Sequence, residues 1–86
     1  MAVYSIFFKD SVRKDLDFIP ENDLQRIIER IGSLAGNPRP IGCEKLTGQE
    51  KYRLRQGNYR IIYSIQDSHL TIWVVKIGHR REVYRE

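Results

Sequence analysis

The spacing of apolar positions changes along this chain from near-continuous, to helical, to alternating, and each change predicts a new element. Val3 to Phe8 is apolar, β-branched or aromatic at most positions and predicts a first strand. Val12 and Leu16, four apart, mark one face of a short helix that Asp10 or Ser11 caps and that runs through Phe18. Pro20 suits the first turn of a second helix. There Leu24, Ile27, Ile28, Ile31 and Leu34 fall on one core-facing stripe, while Gln25, Arg26, Glu29 and Arg30 face out. Gly36, followed by Asn37 and Pro38, stops that helix, and a loop holding Pro40 and Gly42 leads to Leu46-Thr47-Gly48.

Beyond Gly48 the period drops to two and predicts three antiparallel strands, divided by Gly57-Asn58 and by Asp67-Ser68. A two-residue turn at Gly57-Asn58 sets Leu54 opposite Ile61, Tyr52 opposite Tyr63, and Arg55 opposite Arg60. The same kind of turn at Asp67-Ser68 sets Ile61 opposite Val74, Tyr63 opposite Ile72, and Ile65 opposite Leu70. One face of the meander is then apolar and ready to receive the amphipathic helix. The other holds Arg53, Arg55, Arg60, Ile62, Ser64, Thr71, Trp73, Val75 and Ile77. The expected class is α+β in a single domain spanning residues 1–86: an N-terminal strand, a helical hairpin, then a three-stranded meander completing a sheet.

Opposed Arg55 and Arg60 change the picture, because like charges directly across a ladder are destabilising. Their joint presence asks for an anion, and phosphate suits the planar donor fork of guanidinium. Charge along the chain agrees. Residues 1–50 carry seven basic and eight acidic side chains, a net −1, whereas residues 51–86 carry eight and three, a net +5. A basic surface confined to one part of a domain fits a nucleic-acid or acidic-protein partner. With 41% hydrophobic and 30% charged residues the chain has ordinary globular values, which disfavour disorder. No apolar run approaches a membrane span, and the amino terminus lacks a basic leader with a long apolar segment, so a cytosolic protein without membrane contact is expected. Cys43 is the one cysteine, which rules out an internal disulfide and any multi-cysteine metal site.

The blocks Lys45-Leu46-Thr47-Gly48, Tyr52-Arg53-Leu54-Arg55, Tyr59-Arg60-Ile61-Ile62-Tyr63 and Gly78-His79-Arg80-Arg81-Glu82-Val83-Tyr84 follow a helical hairpin. In this order and at this separation the chain resembles the RelE/ParE superfamily of toxin–antitoxin toxins, and within it the RelE branch. The resemblance covers nearly the whole chain and implies a RelE-like fold. It implies a ribosome-dependent endoribonuclease that cuts mRNA in the ribosomal A site by 2′-OH attack, without a metal or other cofactor. ParE-like relatives share the fold and poison DNA gyrase instead, so fold is implied more firmly than reaction. A catalytically inactive binding module is a third alternative. The implied partners are a RelB-like antitoxin, the ribosome and mRNA, and operator DNA only through the antitoxin complex.

Metal-free RNA cleavage needs a proton acceptor for the 2′-OH, positive charge for the transition state and an acid for the leaving 5′-oxygen. By resemblance, Arg60 and Arg80 match phosphate-binding arginines, and Tyr84 matches a tyrosine that contacts or stacks on the substrate nucleotide. Arg53 and Arg55 stand where some RelE toxins carry lysines. Arginine stabilises charge, but with a pKa above about 12 it is a poor proton acceptor. His79 stands where other members have a basic residue, and imidazole exchanges protons near neutral pH. Arg81, Lys51 and Trp73 complete the expected site as RNA contacts, with Trp73 on the arginine-bearing face able to stack on a base.

Overall fold

A computed structural model describes residues 3–48 and 50–79. The chain forms β1 (Ser5–Phe8), α1 (Asp10–Asp17), α2 (Glu21–Ser33), β2 (Glu44–Lys45), β3 (Lys51–Gln56), β4 (Tyr59–Gln66) and β5 (Thr71–His79). The strands make one sheet in the order β1-β5-β4-β3-β2, with β1 parallel to β5 and the other pairs antiparallel. The expected α+β class and its element order are therefore present. A two-residue edge strand, β2, joins them. It is too short to show a period.

The helices start and stop for local reasons. Lys9, in extended conformation, precedes α1, and Asp10 lies in the first turn, where its carboxylate meets the positive end of the helix dipole. The cap thus falls one residue before the expected Asp10 and two before Ser11. Pro20 is the cap of α2, with its carbonyl accepting from Leu24 N–H at 2.8 Å. Val12, Ile27, Ile31 and Leu34 are fully or almost fully buried, but Ile28 is 43% exposed. The stripe runs through Ile27, Ile31 and Leu34, and a residue one step along the helix from Ile27 lies about 100° away from it.

Against the helices the sheet presents Leu54, Ile61, Tyr63, Ile72, Val74 and Ile77, all buried in one cluster with α1 and α2. The β3–β4 register is the expected one, with Tyr52 opposite Tyr63, Leu54 opposite Ile61, and Arg55 opposite Arg60. Gly57 supplies the turn at φ +59°. The β4–β5 register differs from expectation. Tyr63 faces Val74 and Ile65 faces Ile72, two residues beyond the two-residue-turn register. Asp67-Ser68 has no glycine to supply a tight turn, so the chain makes a 3-10 turn over Asp67–His69 and reverses through Leu70 in the left-handed region, φ 47°. An irregularity between Ile62 and Tyr63 then shifts the pairing by one further residue, placing Ile77 opposite Ile61. Such a bulge inverts side-chain alternation past it. Ile77, expected on the arginine-bearing face, is consequently a core residue, 1% exposed.

Two polar networks hold the rim. Asp15, near the end of α1, accepts Ile77 N–H at 3.3 Å and lies 3.9 Å from Lys76 Nζ, so it tethers α1 to β5 beyond the last β1–β5 pair. On the far side of the molecule Arg39 donates to both oxygens of Asp67, at 3.2 and 2.9 Å, and through Nε to Tyr52 at 3.2 Å. Tyr4 donates to the same Asp67 at 2.6 Å. These contacts, with Tyr63 donating to the Pro38 carbonyl at 2.7 Å, fasten the loop after α2 to the sheet. Burial pushes the Tyr63 phenol well above its usual range, and the nearby Cys43 thiol adds to the effect, so this tyrosine stays neutral and structural.

The Arg39 hydrogen bonds, and secondarily that from Tyr4, hold the Asp67 carboxyl below its usual value. A lowered folded-state pKa contributes stability that is present above the unfolded value and lost as pH falls through the folded one. Asp67→Asn is expected to melt below the parent at neutral pH, with the gap closing as pH drops below about 4. Thermal melts across that range check this; a gap of constant size would contradict it.

Candidate functional site

The β3–β4 hairpin carries the arginines. Alternation along β3 sends Lys51, Arg53 and Arg55 to the sheet face opposite the helices, and Arg60 and Ile62 join them from β4. Arg53, Arg55 and Arg60 line one recess of about 300 Å³ together with Gly42 and Glu44. Arg53 pairs with Glu44 of β2, its register partner. Arg55 is exposed, whereas Arg60 is only 4% exposed, with Nη1 donating to the Tyr59 carbonyl at 3.3 Å. Burying a guanidinium requires compensation, and an ordered cation at the wall of a recess is pre-positioned for an anion.

Glu44 is a member of this recess that sequence reasoning missed. It brings the one carboxylate among the described lining residues, and that carboxylate accepts from Arg53. Only the pairing of β2 with β3 reveals it.

His79 lies elsewhere. It pairs with Tyr59, its ring edge-on to that phenol at 5.7 Å between centroids. Both line a second cavity, of about 430 Å³, with Asp15, Phe18, Ile19, Ile77 and Gly78, on the helix-bearing side of the sheet. Gly78, not His79, is the neighbour of Arg60 in the ladder. Trp73 does lie on the arginine-bearing face, next to Ser64, and is 36% exposed. Lys51 is the register partner of Ser64 from the other side. Arg80, Arg81 and Tyr84 are outside the described residues.

A sheet backed by a helical hairpin and carrying a recess lined by three arginines defines a small α+β domain with a basic face. Its fold is that of type II toxins solved with their antitoxins. The toxin–antitoxin complex RelBE2 from Mycobacterium tuberculosis superposes with TM-score 0.82 at 29% identity, covering 93% of this chain and 94% of that one. The archaeal RelE–RelB complex from Pyrococcus horikoshii OT3 gives 0.78 at 29% identity, with 93% and 97% covered. The curated toxin RelG of Mycobacterium tuberculosis is 31% identical over 86 residues, 95% of this chain and 97% of its own length. A family model described as the ParE toxin of the type II toxin–antitoxin system parDE matches residues 6–84. The chain belongs to this RelE/ParE family of type II toxin–antitoxin toxins.

Because Arg55 faces Arg60 directly, replacing it should relieve repulsion. Arg55→Gln is expected to stabilise the fold by about 0.2–1 kcal/mol, read as a higher urea midpoint at unchanged slope. A lower midpoint would show that Arg55 is held by attraction instead.

Proposed function

We propose that this toxin is a ribosome-dependent mRNA endoribonuclease. The observation that carries the reading is the convergence of Arg53, Arg55 and Arg60 from neighbouring strands on one recess. In the proposed reaction the ribose 2′-oxygen attacks the adjacent phosphorus in the ribosomal A site. The phosphorus–O5′ bond breaks, giving a 2′,3′-cyclic phosphate or its 3′-phosphate product and a free 5′-hydroxyl. The 2′-OH proton passes to a base and the leaving 5′-oxygen gains one from an acid. Arg60 and Arg55 neutralise the charge that develops on the phosphate, Arg53 orients the Glu44 carboxylate, and no metal is required. Arg80, His79 and Tyr84 are assigned to the reaction through their matching block in the sequence, and Arg81, Lys51 and Trp73 to RNA contact.

The named relatives support this reading, since they are RelE and RelG toxins. Solved neighbours are bound to RelB-type antitoxins, so a RelB-like antitoxin, acidic or amphipathic enough to cover the basic face, is the proposed partner, and operator DNA is reached through that complex. The proposed place of action is the cytosol, where ribosomes and mRNA are. A second reading, gyrase poisoning, draws on the ParE description of the matching family model. It has no need for three arginines around one phosphate.

In a purified translation system, ribosome-bound mRNA should be cut by the intact chain, and Arg60→Ala should lose about two or more powers of ten in rate. Arg60→Lys, which keeps the charge but not the fork, should fall between them. Gyrase-trapped DNA breaks without mRNA cleavage, or cleavage that survives Arg60→Ala, would overturn the assignment.

A further inference from the structure

On the arginine-bearing face one row of register partners crosses four strands: Lys51 of β3, Ser64 of β4, Trp73 of β5 and Phe7 of β1. At its end Phe7 and Trp73 stack, with ring centroids 5.1 Å apart and planes 28° from parallel. Both remain open to solvent, at 46% and 36% exposure, although each is large enough to be core. A hydrophobic sheet surface is ordinarily covered, and the helices cover only the opposite face. The row lies four residues along β4 from Arg60, roughly 13 Å at ordinary strand rise. Lys51 and Arg53 bridge the interval along β3. Basic side chains leading to an open aromatic pair on one face are the two parts of a single-strand-binding surface: cations track the backbone and rings take the bases.

We propose that Phe7 and Trp73 form a stacking platform for bases of single-stranded RNA whose neighbouring phosphates run toward the arginine recess. This rests on the reading of that recess as an RNA phosphate site and extends it from one phosphate to a track. Charge selects the occupant. The row and recess present Lys51, Arg53, Arg55 and Arg60 with the single carboxylate of Glu44, a field that attracts a polyanion carrying its own aromatic surfaces. An acidic protein segment would satisfy the cations but would leave the flat ring faces without their natural counterpart. Stacking tolerates any base, so the platform holds RNA without dictating its sequence.

Trp73 is the only tryptophan in the chain, so its emission reports the platform directly. Titration of the full-length protein with a single-stranded oligoribonucleotide of about 10 nucleotides, followed by anisotropy of the labelled RNA and by Trp73 emission, should show quenching that saturates with binding. Trp73→Leu and Phe7→Leu keep apolar cover on the sheet but remove a ring. Each should weaken binding about tenfold while leaving the dependence of log affinity on log salt unchanged. Arg55→Ala should instead reduce that slope by roughly 0.7. Trp73→Phe, which restores a ring, should recover most of the affinity. Unaltered emission when RNA is bound, or parental affinity in both leucine variants, would overturn the platform, as would quenching by an acidic antitoxin peptide but not by RNA. RNA binding is measured without ribosomes or cleavage, so loss of the nuclease reading and loss of the platform are separate outcomes.

Discussion

The period-two alternation of a strand is a rigid constraint, and the irregularity between β4 and β5 is where this fold escapes it. Without that shift, Ile72 and Val74 would face the helices while Ile77 pointed away. With it, all three enter one core and Gly78 becomes the neighbour of Arg60. Glycine brings no side chain to that position on the arginine-bearing face. The displaced ladder also turns Ile77 N–H to Asp15, which ties α1 to the stretch of β5 beyond its pairing with β1. Core packing and helix docking thus depend on one added residue in one strand.

Magnitudes explain how the sheet tolerates its own electrostatics. An opposed like-charge pair costs about 0.2–1 kcal/mol. Fully burying a single Ile or Leu contributes about 1.5–3 kcal/mol. Leu54 and Ile61 are register partners on the core face, each one residue inward from the opposed arginines, and both are essentially inaccessible. Their burial anchors the same hairpin that carries the opposed arginines.

Much of this was legible in the sequence because it follows from short-range rules. Gly57-Asn58 specifies a tight turn, so the β3–β4 register and the facing of Arg55 and Arg60 could be counted from it. The 3.6-residue stripe of α2 placed Ile27, Ile31 and Leu34 in the core, and failed at Ile28 only through the width allowed to the stripe. What escaped depends on tertiary balance. Asp67-Ser68 carries turn-forming residues, but its turn is set by Arg39 and Tyr4 gripping Asp67 from 28 and 63 residues away. The bulge has no glycine or proline to announce it. Glu44 belongs to a strand of two residues, and Phe7 gains meaning only from a parallel pairing across most of the chain.

The sheet is also a partition, and in the proposed reaction this bears on how the labour of catalysis is divided. Arg53, Arg55 and Arg60 share one face, while His79 and Tyr59 share the other with Asp15 and the end of α1. A phosphate seated in the recess therefore meets guanidinium and the Glu44 carboxylate before it meets imidazole. Arginine holds charge without surrendering a proton at neutral pH, so the recess by itself organises a transition state more readily than it moves a proton. That asymmetry suits the proposed reaction, in which the ribosome positions the mRNA. Under the proposed nuclease reading the recess supplies positive charge beside the Glu44 carboxylate, while the imidazole of His79 stands on the opposite face.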